Sequence, residues 1–428
     1  MTNVNTHDTN GKNILIVGSG GREHALAWKI NQSSLCRKLY VAPGNAGTGE
    51  WNIPIKANDI QSLVHFAKTE RIDLTIVGPE EPLSLGIVNA FQAEGLRIFG
   101  PSQAAAFLES SKAFAKEIMD AAKVPTAAYQ TFVDKKMAEQ YIRDIGAPIV
   151  IKADGLAAGK GVIVAATLDE ALDGLDTIMG GAFGSAGEKV VVEEFLEGPE
   201  VSLLCFCDGD RALPMTPVQD HKRALDGDQG LNTGGMGTYS PPPFWTKDLE
   251  AEVIRTIAQP TLDVMRERGT PFTGILFLGL MITVKGPKLL EYNVRFGDPE
   301  TQVVMTLLKS DLIPIFEACI DGRLENIGIE WLDGTAVCVV MAAPGYPGEY
   351  TKGIVIKLPE TKDSQVIFHA GTKMDQGELV SSGGRVLGVT ARGESIVAAR
   401  KEAYALVEKI VFPNAHYRTD IGIKGLAE

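Results

Sequence analysis

The run Glu291-Tyr292-Asn293-Val294-Arg295-Phe296-Gly297-Asp298-Pro299-Glu300 sets a carboxylate, an amide oxygen and a guanidinium two residues apart. Read as a strand over residues 289–296, its alternation puts Glu291, Asn293 and Arg295 on one face and Leu290, Tyr292 and Val294 on the other. A carboxylate beside an amide oxygen suits a hard, oxygen-seeking cation, and the neighbouring guanidinium suits a phosphate or carboxylate. The pattern points to metal-assisted phosphoryl transfer, with Glu291 and Asn293 as candidate ligands. The competing reading is an exposed strand face running into a helix. On either reading Asp298 is the expected N-cap, with Pro299 at the first helical position.

Upstream, residues 148–152 and 162–165 read as strands joined by Ala153-Asp154-Gly155-Leu156-Ala157-Ala158-Gly159-Lys160-Gly161. A small, Gly-rich tip of this kind can close over a polyphosphate with its amides facing inward, and Lys152 and Lys160 add charge. No GxxxxGK[ST] occurs, so this is not a P-loop; a plain flexible hairpin is the alternative. The strand over 189–195 exits through Glu193-Glu194-Phe195-Leu196-Glu197-Gly198-Pro199-Glu200. Adenine can lie against Phe195 and Leu196 while a carboxylate holds ribose hydroxyls, although an acidic turn has the same composition. Residues 221–239 read as a long polar loop, basic at Asp220-His221-Lys222-Arg223 and Gly-rich at Asn232-Thr233-Gly234-Gly235-Met236-Gly237. Long loops in compact domains are functional or disordered, and this one suggests a substrate loop. A helix over 247–268, strands over 275–283 and 288–296, and helices over 301–309 and 312–321 complete the unit.

The first hundred residues alternate strands (13–17, 38–41, 73–77, 97–99) with helices (23–31, 60–70, 83–94), which predicts a parallel sheet wrapped by helices. Its strand ends carry Gly18-Ser19-Gly20-Gly21, Pro43-Gly44-Asn45-Ala46-Gly47 and Gly78-Pro79-Glu80, where such sheets bind ligands. Glu23 stands where GxGxxG needs a small residue, which argues against NAD. The Gly20–Gly21 turn, with Arg22 beside it, can still hold a phosphate on backbone amides, or be a tight turn without a ligand. His24 reads as a packed or capping residue. Beyond Trp331, short strands (335–341, 365–368, 385–391) and one helix over 395–410 read as a small α+β lobe.

A chain of 428 residues exceeds one ordinary core, and 45% hydrophobic with 22% charged residues is a globular composition. The net charge of −13 argues against nonspecific binding to nucleic acid or anionic membrane. Five cysteines without paired spacing fit a reducing compartment, Cys205 and Cys207 read as buried strand residues, and zinc is disfavoured. Residues 1–12 look like a loose tail rather than a leader, no apolar run is long enough to span a membrane, and the cytoplasm is the expected compartment.

With the hairpin, the acidic hinge and the metal strand in this order, the chain resembles the ATP-grasp ligases, and among them the phosphoribosylamine–glycine ligase family. The likeness runs from about Lys12 to Ile423 and rests on Gly20-Gly21-Arg22-Glu23-His24-Ala25, Pro43 to Thr48, Ile151 to Val162, Asn232 to Gly237 and Arg295 to Glu300. It implies a multidomain α/β and α+β architecture. The expected parts are a tail (1–12), an N-terminal parallel α/β domain (13–111), an ATP-grasp domain (112–325) with a lid at about 124–195, and a C-terminal α+β domain (330–428).

The resemblance implies ligation of glycine to 5-phospho-β-D-ribosylamine, with glycyl phosphate as intermediate and ADP and phosphate as by-products, in purine synthesis. Lys112, Lys152, Gly159, Lys160 and Gly161 would contact ATP phosphates; Glu193, Phe195 and Leu196 the adenine; Glu200 the ribose. Glu291 and Asn293 would hold Mg²⁺ or Mn²⁺, and Arg295 would neutralise the acyl phosphate. Gly20, Gly21, Arg22, Asp220, Lys222, Asn232, Thr233, Gly235 and Arg295 are the expected substrate contacts. Many ATP-grasp relatives carry an acid on the preceding strand, where this chain has Phe277-Leu278-Gly279-Leu280, so water and ATP oxygens must supply more ligands. A monomer is expected, with room for contacts to neighbouring purine-pathway enzymes. Two other readings stay open: an ATP-grasp enzyme using bicarbonate or formate, and a nucleotide sensor without turnover.

Overall fold

The computed structural model describes residues 11–155 and 161–426. Lys12, expected in the tail, instead opens β1 (Lys12–Gly18), and is followed by α1 (Gly21–Ile30), β2 (Cys36–Pro43), α2 (Ile60–Thr69) and β3 (Leu74–Val77). The helix expected over 83–94 is two, α3 (Glu80–Ser84) and α4 (Ile87–Ala93), because Gly86 at φ +86° turns the chain between them. β4 (Ile98–Phe99), α5 (Gln103–Ser110) and α6 (Lys112–Ala121) follow. The sheet is parallel in the order β2-β1-β3-β4. Ile14 to Val17 are wholly buried, as an unbroken apolar run in a covered parallel sheet must be.

The chain then builds two antiparallel sheets that face each other across a cleft. The first holds β5 (Tyr129–Phe132), β6 (Ile149–Ala153), β7 (Val162–Ala165) and β8 (Val190–Glu194), in the order β5-β8-β6-β7, with α7 (Lys135–Ile145) and α8 (Leu168–Thr177) behind it. Its core, including Phe132, Ile142, Ile151, Leu175 and Val192, is separate from the other clusters. The second sheet orders β10-β9-β15-β16, from β9 (Glu200–Asp208) and β10 (Ala212–Pro214) to its later strands, β15 (Thr273–Thr283) and β16 (Gly286–Asn293). Cys205 and Cys207 lie fully buried on β9 and, like the other three cysteines, are free.

The segment expected as a long loop is mostly strand: β11 (Gln219–Asp220), the hairpin of β12 (Arg223–Leu225) and β13 (Gln229–Asn232), and β14 (Gly237–Ser240). β14 pairs with a strand nearly a hundred residues on, which no local pattern reveals. The helix expected over 247–268 runs from α9 (Lys247–Val253) through a π-helical turn to α10 (Gln259–Glu267). After α11 (Glu300–Leu307) and α12 (Leu312–Ile320) come β17 (Thr335–Ala342), β18 (Gln365–His369), the hairpin β19 (Thr372–Asp375)–β20 (Glu378–Ser381), β21 (Arg385–Gly393) and α13 (Ile396–Val407). The C-terminal sheet orders β11-β14-β17-β21-β18, so its first two strands come from the middle of the chain.

Two expectations for the opening stretch fail. In the β15–β16 ladder Gly279 faces Glu291 while Leu280 faces Leu289, which leaves Leu290 as an extra, bulged residue. Leu290 is therefore turned to the cleft instead of packing beside Tyr292 and Val294, which are buried. Asp298 does not cap α11, whose N-cap is Pro299 without a side-chain bond. Its carboxylate accepts from Gln302 Nε2 at 2.9 Å and lies 3.5 Å from the Arg22 amide at the start of α1.

Candidate active site

The cleft between the antiparallel sheets encloses about 1140 Å³ and extends to the parallel sheet and the C-terminal domain. At one end Phe195 is exposed, and Leu196, Met281, Leu290 and Ala127 form a small apolar floor. The bulge is what adds Leu290 to that floor. Beside it, Glu193 joins two lysines: Lys152 Nζ stands 2.8 Å from Oε2 and Lys116 Nζ 3.0 Å from Oε1. Lys152 also donates to the Leu290 carbonyl at 3.0 Å, and Lys116 to Thr126 Oγ1 at 2.8 Å. Burial opposes charge on Glu193, but the two ammonium groups outweigh it and hold its carboxyl below the ordinary range. Lys116 is pulled down by burial.

In the middle of the cleft Lys112, at the start of α6, places Nζ 3.2 Å from Glu291 Oε2. Burial would raise the Glu291 carboxyl; Lys112, Lys222 and Lys152 outweigh it and keep the group ionised far below the ordinary range. Arg295 is boxed between Glu80 at 3.2 Å and Glu109 at 2.9 Å, and donates to Asn293 Oδ1 at 3.3 Å. Glu109 also accepts from the Val294 amide at 2.8 Å, so it fixes both the backbone and the guanidinium of the segment that leaves β16. Burial raises the Glu109 carboxyl despite Arg295.

Glu291 and Asn293 thus present their oxygens on one cleft face, each now met by a cationic side chain. Among the described residues no cluster of three or more His, Cys, Asp or Glu could hold a metal. Two protein oxygens fit Mg²⁺ or Mn²⁺ bound jointly by the protein, nucleotide oxygens and water, since Mg²⁺ keeps several waters and takes one or two protein ligands.

Where the nucleotide end passes into the far end, Lys222 lies 3.1 Å from Glu200 Oε2, and that carboxylate above all raises its ammonium. Burial raises both the Asp220 and the Glu300 carboxyl; the Glu300 charge adds to the rise of Asp220, which lies well above the ordinary range, and the Asp298 charge adds to that of Glu300. Thr233 Oγ1 donates to the Lys222 carbonyl at 2.9 Å and accepts from the Gly235 amide at 3.0 Å, which folds the 232–237 turn back over β12. Gly235, at φ +112°, lies so close that a Cβ there would stand 2.5 Å from Pro299 and 2.8 Å from Asp220 Oδ1.

The expected site residues divide accordingly. Lys112, Lys152, Gly161, Glu193, Phe195, Leu196, Glu200, Glu291, Asn293 and Arg295 line one cleft, as do Arg22, Asp220, Lys222, Asn232 and Thr233. Gly159 and Lys160 lie outside the described residues. Gly20 and Gly21 are not among the residues that line this cleft. The Gly20 amide donates to Glu23, a Cβ on Gly20 would stand 3.1 Å from Asp298 Oδ2, and one on Gly21 would stand 2.5 Å from Gln302 Nε2. The Asp298 side chain packs against this turn. Arg22 is buried, pairing with Glu23 and donating to the Phe296 carbonyl at 2.9 Å. His24, as expected, is packed: its Nδ1 accepts from the His369 amide at 2.8 Å.

Sequence reasoning missed Glu109, Lys116 and Arg385 and left Glu80 without a role. Lys116 had one signal, its i+4 spacing from Lys112 on a helix. Glu109 and Arg385 had none, because tertiary contacts alone bring them to the cleft.

A cleft between two antiparallel sheets, with a lysine-bearing hairpin on one and paired oxygen ligands on the other, defines the ATP-grasp class of ligase. Comparison with known proteins narrows the class. The phosphoribosylglycinamide synthetase N domain matches residues 12–109, the ATP-grasp (A) domain 110–301 and the C domain 336–424. The phosphoribosylamine–glycine ligase of Brucella melitensis is 52% identical over 96% of this chain and 97% of its own. A crystal structure of phosphoribosylamine–glycine ligase from Thermotoga maritima superposes with a TM-score of 0.84 at 35% identity, over 95% of this chain and 99% of that one. The biotin carboxylase domain of Hydrogenobacter thermophilus 2-oxoglutarate carboxylase, solved with MgADP, ADP and bicarbonate, shares the fold at TM-score 0.73, 14% identity and 95% and 91% coverage. The chain belongs to the phosphoribosylamine–glycine ligase family, whose activity is the ATP-dependent ligation of glycine in purine biosynthesis. Among the described residues no helix is long and apolar enough to cross a membrane.

Proposed function

We propose that this chain joins glycine to 5-phosphoribosylamine by way of glycyl phosphate, and that the two ends of the cleft divide the work. ATP lies with adenine on Phe195, Leu196 and Leu290, ribose at Glu200, and phosphates against Lys152 and Lys112. A Mg²⁺ or Mn²⁺ held by Glu291 and Asn293 would neutralise charge on the phosphates. Lys112 and Arg295, which now meet those two oxygens, are then free to turn toward the transferring phosphoryl group. Glycine's carboxylate attacks the γ-phosphate, ADP leaves, and Arg295 stabilises the acyl phosphate as a fixed positive charge in a dry site. The ribosylamine nitrogen, held at the far end near Asp220, Lys222 and the 232–237 turn, attacks the acyl carbon, and phosphate departs with the bond pair.

The observation that carries this reading is Arg295 held beside the paired oxygens by two carboxylates, the buried Glu109 and the half-buried Glu80, which aims a cation at one point of the cleft. The experiment is ADP release with substrates supplied singly and together. Dependence on glycine plus ribosylamine supports the reading, and stimulation by bicarbonate or formate instead defeats it. We place the activity in the cytoplasm on the composition and the five free cysteines.

A further inference from the structure

Arg385 opens β21 in the C-terminal sheet, yet its guanidinium reaches into the cleft. Nη1 donates to three main-chain carbonyls: Gly234 at 2.6 Å, Asp298 at 2.6 Å and Gly235 at 3.3 Å. Those carbonyls belong to two separate segments, the turn between β13 and β14 and the turn between β16 and α11. The fit is tight, since a Cβ on Gly234 would stand 3.0 Å from Arg385 Cζ. Hydrogen bonds from a charged donor are about twice as strong as neutral ones, and a planar fork holds its partners in fixed directions.

We infer that Arg385 is a positioning residue for the ribosylamine end of the cleft: one guanidinium locks the Gly234–Gly235 turn to the Asp298 turn, and so lets the C-terminal domain shape the wall that holds the amine substrate. This rests on the reading that the end away from Lys152 and Glu193 takes the ribosylamine. The pinned turns bear directly on that wall, because Gly235 abuts Asp220 and Asp298 leads into Glu300. Domain attachment does not need Arg385. The seam has the β14–β17 ladder, the bond from Thr238 Oγ1 to the Pro299 carbonyl at 3.0 Å and the bond from Asn45 Nδ2 to the His369 carbonyl at 2.8 Å.

The test compares Arg385→Ala and Arg385→Lys in the full chain. Steady-state rates are taken with each substrate varied in turn, and ATP affinity by direct titration. Arg400→Ala is the control; it removes another C-terminal guanidinium, bonded to the Ile421 carbonyl at 3.0 Å and away from the cleft. In Arg385→Ala the KM for ribosylamine rises about tenfold or more while ATP affinity stays within about twofold. Arg385→Lys recovers part of the loss, since an ammonium reaches a carbonyl without the fork. The control lowers the melting temperature and leaves the ribosylamine KM alone. An unchanged ribosylamine KM in both Arg385 variants, or an equal change in the control, overturns the inference. So does a parallel loss of ATP affinity. If Arg385→Ala does not fold, Arg385→Lys carries the same comparison. Failure of the functional reading is distinct: the unmodified chain would then release ADP without needing ribosylamine.

Discussion

At the Lys152–Glu193 end of the cleft the charged side chains stand on regular elements, α6, β6, β8 and β16, and neutralise one another within 3.2 Å. The far end is assembled differently. Its wall joins a turn from the middle of the chain, the turn after the metal strand, and an arginine from the C-terminal sheet. The first end is a preset ionic lattice, whereas the second is a seam between domains. Damage at the first should strike ATP and chemistry together. Damage at the second should separate the amine substrate from ATP.

The largest test of this contrast is Arg295→Ala or Glu291→Ala, each expected to lower kcat/KM by about 10³-fold with the fold retained, since the first removes the cation aimed at the transferring group and the second the carboxylate that would hold the metal. Near-normal turnover in either variant refutes the assigned roles. Glu193→Gln comes next, because it leaves the Lys116 and Lys152 ammonium groups buried and facing each other without their carboxylate. The expected loss is about 3 kcal/mol of stability, read by denaturant unfolding, together with weaker ATP binding. A smaller effect is expected from shortening the hairpin tip within residues 157–161: a rise of about tenfold in the ATP requirement, with the ribosylamine KM unmoved. An unchanged ATP dependence contradicts a lid role.

The smallest effect lies at the seam of the parallel and C-terminal sheets. Burial holds His24 down to about 3 and His369 to about 4. Below pH 6.5 the unfolded chain takes up protons that these native imidazoles refuse, so stability falls as pH drops from 6.5 toward 4, by at most about 1.4 kcal/mol per pH unit for each histidine. Melting temperatures between pH 7 and pH 5 should show a shallower decline in His369→Gln than in the unmodified chain. Equal slopes contradict the assignment.

The same contrast governs how much could be read from sequence. The fold class and the parallel sheet follow from periodicity, because β1 to β4 are short apolar runs between amphipathic helices. That Glu291, Asn293 and Arg295 share one face was legible because alternation fixes which side chains do so. Leu290 escaped that rule, since a bulge depends on pairing with β15 and resets the alternation without any local mark. The Asp298 cap failed because Pro299 takes the N-cap position and the Asp298 carboxylate instead bridges the Gln302 side chain on α11 and the Arg22 amide at the start of α1. The Gly-rich segment over 221–239 looked like a loop because β14 pairs with a strand beyond residue 334, while β12 and β13 pair only with each other. Arg385 and Glu109 reach the cleft only through that kind of long-range assembly.

The central claim is that a divalent cation between Glu291 and Asn293 holds the triphosphate beneath the lysine-bearing hairpin. Anomalous diffraction from crystals grown with Mn²⁺ and a non-hydrolysable ATP analogue tests it directly. The account predicts a Mn²⁺ peak within coordinating distance of Glu291 and Asn293, with the triphosphate beside Lys112 and Lys152. A peak elsewhere, or a triphosphate bound outside this cleft, would contradict it.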